Sequence, residues 1–174
     1  IGTGFKYNIT QWLANLGENG EKYMFTHNPR FGYLFFLSQM KSGDTRDMWN
    51  EVLKIIFYIL AIIGIIVISK QKTWWKKAAM LVSIIILLPT NSGFYCGLYL
   101  FPIVVLFFNE EEHNWLDILY MLSMIVILNP FQLMTKKGVN ITLTATNIAM
   151  FVFAGLLLID NIVNFIRVLI EQYK

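Results

Sequence analysis

Apolar and polar positions are segregated along this 174-residue chain rather than alternated. Four stretches carry no Asp, Glu, Lys or Arg: 15 residues between Lys54 and Lys70, 32 between Lys77 and Glu110, 18 between Asp117 and Lys136, and 22 between Lys137 and Asp160. Crossing a bilayer as a helix takes about 20 mostly apolar residues. The pattern therefore predicts spans over 52–69, 74–88, 94–108, 115–128 and 141–158. The 32-residue run is too long for one helix, and Pro89 and Gly93 bracket Thr90, Asn91 and Ser92 in its middle. Two short helices joined by a tight turn at the membrane boundary follow, with Pro102 kinking the second. One interrupted span is the rival division.

The punctuation between spans is equally regular. Residues 10–24 begin a short helix that Gly17-Glu18-Asn19-Gly20 breaks. The turn Thr26-His27-Asn28-Pro29-Arg30 leads into FGYLFFLSQM, ten residues and too short to cross, so this stretch is re-entrant, interfacial or docked on other helices. Residues 41–47 read as a polar linker, and Trp49 and Lys70 anchor the first span. QKTWWKK, with Lys70, gathers four of the 14 basic residues, and both Trp74 and Trp75 suit a headgroup layer. Asn109 to Asn114 form an acidic loop, Asn129-Pro130 ends the fourth span, and Thr135 to Asn140 make a further polar turn. The fifth helix need not stop at 158. Asp160, Asn164, Arg167 and Glu171 recur every three or four residues as one polar stripe, a surface face or helix contact, which fits an amphipathic tail lying along the surface.

Composition sharpens this into a class. The chain is 56% hydrophobic and 14% charged, with a net charge of +3. That excludes an ordinary soluble domain and is far too little positive charge for a nucleic-acid surface. The expected fold is all-α: a polytopic helical membrane protein with four to five transmembrane helices. Residues 1–49 form an extracytoplasmic segment with short or re-entrant helices, and 50–174 form the transmembrane domain with its amphipathic tail. The first residue is Ile1, and more helices are expected before it in a longer protein. The lone Cys96 excludes an internal disulfide and reads as a packing residue. Asn8 and Asn140 head glycosylation tripeptides that matter only in a eukaryote. With Lys70–Lys77 placed in the cytoplasm of a plasma (inner) membrane, residues 1–49, the Pro89–Gly93 turn and the 135–140 turn fall outside; Lys136 and Lys137 oppose this.

Three places carry candidate chemistry. His27 and Arg30 form a turn suited to phosphate through charge-assisted hydrogen bonds, or to lipid headgroups as a plain solvated loop. Thr90, Asn91, Ser92 and Tyr95 supply donors and acceptors where a span should be apolar, either as the floor of a polar cavity or as a simple hairpin turn. Glu110-Glu111-Glu112-His113 offers carboxylates without the fixed spacing of a metal site, so neither metal nor other cofactor is expected. None of the four charge-free runs contains a His either, and ion-coupled transport ordinarily needs an ionisable group inside the membrane.

The order of these elements, from THNPRFGYLFF through a basic turn to LLPTNSGFYCGLYLFPIVVLFF, resembles the C-terminal half of GT-C type membrane glycosyltransferases that use polyprenyl-phosphate donors, in particular glycosyltransferase family 87, the mannosyltransferase-like group. The likeness covers about residues 5–130, with Pro89, Asn91, Ser92, Tyr95 and Phe101-Pro102 at the family's characteristic positions. The resemblance implies transfer of a sugar such as mannose from a polyprenyl-phosphate donor to a lipid-linked or envelope glycan acceptor. It also implies that His27, Arg30, Asn91, Ser92 and Tyr95 contact the donor, and that the catalytic carboxylate belongs to an N-terminal half. The alternatives are a transporter, flippase or polysaccharide-export component, or a small non-enzymatic membrane subunit.

Overall fold

In the computed structural model of the protein the described residues are 31–38, 40, 43–88, 94–129 and 141–172. They are 85% helical and contain no strand. The elements are α1 (Tyr33–Ser38), α2 (Asp44–Ile68), α3 (Trp74–Leu87), a 3₁₀ segment (Phe94–Leu100) that runs into α4 (Phe101–Phe108), α5 (Trp115–Ile127) and α6 (Ile141–Gln172). The short helix predicted over 10–24 and the 135–140 turn lie outside the described residues.

Helix lengths divide the elements into two kinds. α2 has 25 residues and α6 has 32, and both are long and apolar enough to cross a membrane. Only 11% and 22% of their most apolar windows are buried, whereas the core helix of a soluble protein is mostly buried. Ile55, Ile59, Ile62 and Ile66 stand on the exposed face of α2, and Ala61, Gly64 and Val67 face inward. Those small residues let α3 approach closely, with Met80 seated over Gly64. α3 and α5, at 14 and 13 residues, extend only about 20 Å at 1.5 Å per residue.

The local physics corrects three expectations and fills in a fourth. The supposed linker ends at Gly43, whose φ of 146° suits glycine, and Asp44 and Asp47 then open α2 where carboxylates favour the positive end of the helix dipole. Pro102 does not kink a continuous helix: it sits in the first turn of α4, where a missing N–H costs nothing, and the residues before it wind as 3₁₀. The fifth span and the tail form one unbroken helix, α6, because no Gly or Pro interrupts residues 156–172. Finally, only one of the paired tryptophans faces outward. Successive residues on a helix point about 100° apart, so Trp74 is 73% exposed while Trp75, at 1%, is in the core.

The core follows from this packing. Trp75 meets Phe107 and Tyr120 edge-on at 5.1 and 5.2 Å between ring centroids, and Tyr120 meets Phe153 at 5.8 Å. This aromatic ladder joins α3, α4, α5 and α6. Cys96 is buried in the same core. The stretch left open as re-entrant, interfacial or docked is docked. Phe31, Tyr33, Leu34, Phe35 and Leu37 are all buried, with the Tyr33 ring 5.1 Å from Phe57 of α2.

Candidate functional site

The contacts sort into two ends, and α3, the 94–108 segment, α5 and α6 run between them. At the first end the start of α3, the end of α4, the start of α5 and the late part of α6 converge around Trp75, Phe107, Tyr120 and Asp160. At the second end the close of α3 at Leu87, the entry to α1 at Gly32, the close of α5 at Ile127 and the early part of α6 at Asn147 converge.

The first end is a polar network. Lys76 donates to Asp160 Oδ2 at 2.7 Å, and the Tyr120 hydroxyl lies 3.4 Å from the same oxygen. Lys76 stands in the first turn of α3, where a cation opposes the helix dipole by about 0.3–1 kcal/mol, and Asp160 offsets this. Gln71 serves both neighbours. Its Oε1 accepts from the backbone N–H groups of Lys72 and Thr73 at 2.9 and 3.2 Å, and its Nε2 donates to Asn161 Oδ1 at 2.8 Å. Asn164 Nδ2 donates to the Lys70 carbonyl at 3.2 Å. The 160–171 stripe is thus turned, at Asp160 and Asn164, onto the basic segment, and the adjacent Asn161 joins it there.

Across from this network, Asn114 and Asp117 cap α5 reciprocally. Leu116 N–H donates to Asn114 Oδ1 at 2.9 Å, and Asn114 N–H donates to Asp117 Oδ2 at 2.7 Å. His113 Nδ1 lies 3.3 Å from that oxygen. Asp117 is 5% exposed, and its Oδ1 has no hydrogen-bond partner. Two cavities open between these groups. The larger, about 500 Å³, is lined by Lys76, Trp115, Tyr120, Asp160, Asn164 and Arg167 among others. The smaller, about 250 Å³, shares Thr73, Lys76 and Asn114 with it and adds Glu110, Glu112, His113 and Asp117. Among the described residues no cluster of three or more His, Cys, Asp or Glu side chains is placed to hold a metal. Lys76 and Asp160 neutralise each other, and the remaining charges of the two cavities have opposite signs.

The described neighbours of the residues singled out as donor contacts belong to the second end. His27, Arg30, Asn91 and Ser92 lie outside the described residues, and Tyr95 is placed by its backbone in the 3₁₀ segment. Their neighbours are described. Gly32, at φ 87°, donates its N–H to Asn147 Oδ1 at 3.1 Å. A Cβ on Gly32 would lie 3.0 Å from the Leu87 carbonyl, and one on Gly97 would lie 3.5 Å from the Phe31 ring. The pair that directly follows Arg30 is therefore packed against helices on both sides of the Pro89–Gly93 stretch.

Sequence reasoning singled out Glu110–His113 at the first end only as a loop unsuited to metal and did not join it to Lys76 and Asp160. The Asn114-x-x-Asp117 capping pattern was available as a signal. The Lys76–Asp160 pair, 84 positions apart, carried none. No protein-family model matches the chain, and no curated protein or solved structure matches it.

Proposed function

We propose that the chain is the donor-binding part of a multi-pass membrane glycosyltransferase of the GT-C type, acting on a sugar carried by a polyprenyl phosphate. In this reading α2 and α6 cross the bilayer. The three shorter legs (α3, the 94–108 segment and α5) run antiparallel between the same two ends and complete the bundle, the bilayer adapting to their length at modest cost. Exposed Trp74 and Trp115 mark one interface. The polar groups gather at the ends, where a transferase working at a membrane face needs them.

The observation that carries the reading is the packing of Phe31 and Gly32 against Gly97 and Leu87. Phe31 and Gly32 directly follow Arg30 in the sequence, and Leu87 and Gly97 flank the Pro89–Gly93 stretch, so this packing supports a shared phosphate and sugar site. An apolar cleft of about 140 Å³ between α2, α3 and α6 starts at Leu87 and Leu88 and passes Gly155, where an added Cβ would meet nothing within 4 Å. It offers a prenyl chain a path away from that site.

The test is sugar transfer from a polyprenyl-phosphate donor in membranes carrying the full-length protein. Arg30→Gln and Asn91→Ala should each lower transfer by about tenfold or more, the weight of one charge-assisted hydrogen bond, at unchanged protein level. Unaltered transfer in both would remove these turns from the site.

A further inference from the structure

The paired cavities at the Lys76 end belong to no step of the proposed transfer, and their charges are ordered. The larger cavity holds Arg167, which makes no ion pair with a described residue, beside the mutually paired Lys76 and Asp160. Its net lining charge is positive: Lys76 and Arg167 against Asp160. The smaller cavity is acidic, with Glu110, Glu112 and Asp117 against the shared Lys76. Three residues line both, Thr73, Lys76 and Asn114, so the two cavities adjoin as the halves of a basin.

Two features define what would fill it. The Asp117 carboxylate lines the acidic half, is 95% buried and keeps Oδ1 without a partner. A buried carboxylate oxygen without a donor costs about 1–3 kcal/mol or more, so the half calls for a ligand that donates N–H. The wall of the basic half is apolar, through Leu116, Leu156, Ile159 and Val163. Ile159 and Val163 continue onto the exposed face of α6, and Trp115, 71% exposed, stands on the rim. A phosphate on one side, an ammonium on the other and hydrocarbon running down the wall together describe one molecule.

We infer that this basin binds the headgroup of a zwitterionic aminophospholipid of the phosphatidylethanolamine kind, with its phosphate toward Arg167 and its primary ammonium toward Glu112 and Asp117. A choline headgroup carries the same charges but has no N–H to offer Asp117. A glycerol headgroup has the phosphate and lacks the cation. The inference rests on the membrane-embedded reading above and not on sugar transfer.

The experiment is lipid retention by the full-length protein in detergent, read by native mass spectrometry against phosphatidylethanolamine, phosphatidylcholine and phosphatidylglycerol in turn. Phosphatidylethanolamine should be retained about tenfold better than phosphatidylcholine, the weight of a charge-assisted hydrogen bond. Asp117→Asn should erase that preference and leave phosphatidylglycerol retention unchanged. Arg167→Gln should weaken retention of both phosphatidylethanolamine and phosphatidylglycerol. Because Asp117 also caps α5, Glu112→Gln is the companion variant. It should reduce the ethanolamine preference without altering melting in lipid-free detergent. Equal retention of ethanolamine and choline lipids by the wild type, or a preference unmoved by both acidic variants, overturns the inference. Complete displacement of the lipid by soluble O-phosphoethanolamine at comparable concentration also overturns it, assigning the basin to a water-soluble ligand. Extraction of the protein from membranes by alkaline carbonate would instead defeat the membrane reading, which separates the two failures.

Discussion

The two ends of the helical bundle cohere by different physics. At the Lys76 end, aromatic rings meet edge-on and long polar side chains reach across, in Lys76–Asp160 and Gln71–Asn161. At the Leu87 end, backbones approach directly: Gly32 lies against the Leu87 carbonyl, and one side chain, Asn147, receives the Gly32 N–H. α6 supplies an asparagine to each. Asn147 and Asn161 are 14 residues apart, about four turns, so they share one face with Met150, Phe153 and Leu157 buried between them. The difference teaches how each end can be repaired after a change. Side chains can rearrange around an ion pair, while a glycine wedged on a backbone has no room to yield.

Three substitutions press on that contrast. Trp75→Ala should do the most damage, about 3–5 kcal/mol, because it empties the centre of the aromatic ladder and removes both edge-on contacts. Reversible unfolding in detergent micelles measures it, and a loss below about 1 kcal/mol would show that the ladder is not the core. Asp160→Ala comes next, at about 2 kcal/mol, since it strands the largely buried Lys76 ammonium. The partial exposure of both groups keeps the cost below that of a fully buried pair. Lys76→Met in the same background should restore most of the loss, and a failure to restore would mean that Asp160 acts through Tyr120 instead. Gly32→Ala should cost about 1–2 kcal/mol from its left-handed backbone alone, with more from the contact with Leu87. Unlike Asp160→Ala, it should respond to no partner substitution. A neutral Gly32→Ala would erase the distinction between the ends.

Much of the fold was legible. The charge-free runs placed the helices, and Pro89 and Gly93 divided the longest run between two of them, α3 and the 94–108 segment. What patterning could not give was direction. WWKK reads the same whichever tryptophan turns inward, and only the packing of α4 and α5 against α3 decides for Trp75. The Asp160, Asn164, Arg167 spacing was visible as one face, but an amphipathic stripe says nothing of whether water, lipid or another helix lies opposite. The start of α2 was hidden because Asp44, Arg46 and Asp47 look like linker until their position at a helix N-terminus is known. Of the candidate site, the donor turns were chosen by residue type and lie outside the described residues, whereas the Lys76–Asp160 and Gln71–Asn161 contacts at the opposite end span more than 80 positions and have no local signature.

The central claim is that the two ends face opposite sides of a membrane. Single cysteines at Thr45 and Glu111, both exposed, in a Cys96→Ala background test it with a membrane-impermeant maleimide applied to right-side-out and inverted vesicles. The account predicts that the Thr45 position is labelled only in right-side-out vesicles and the Glu111 position only in inverted ones. Labelling of both positions from the same side would contradict it.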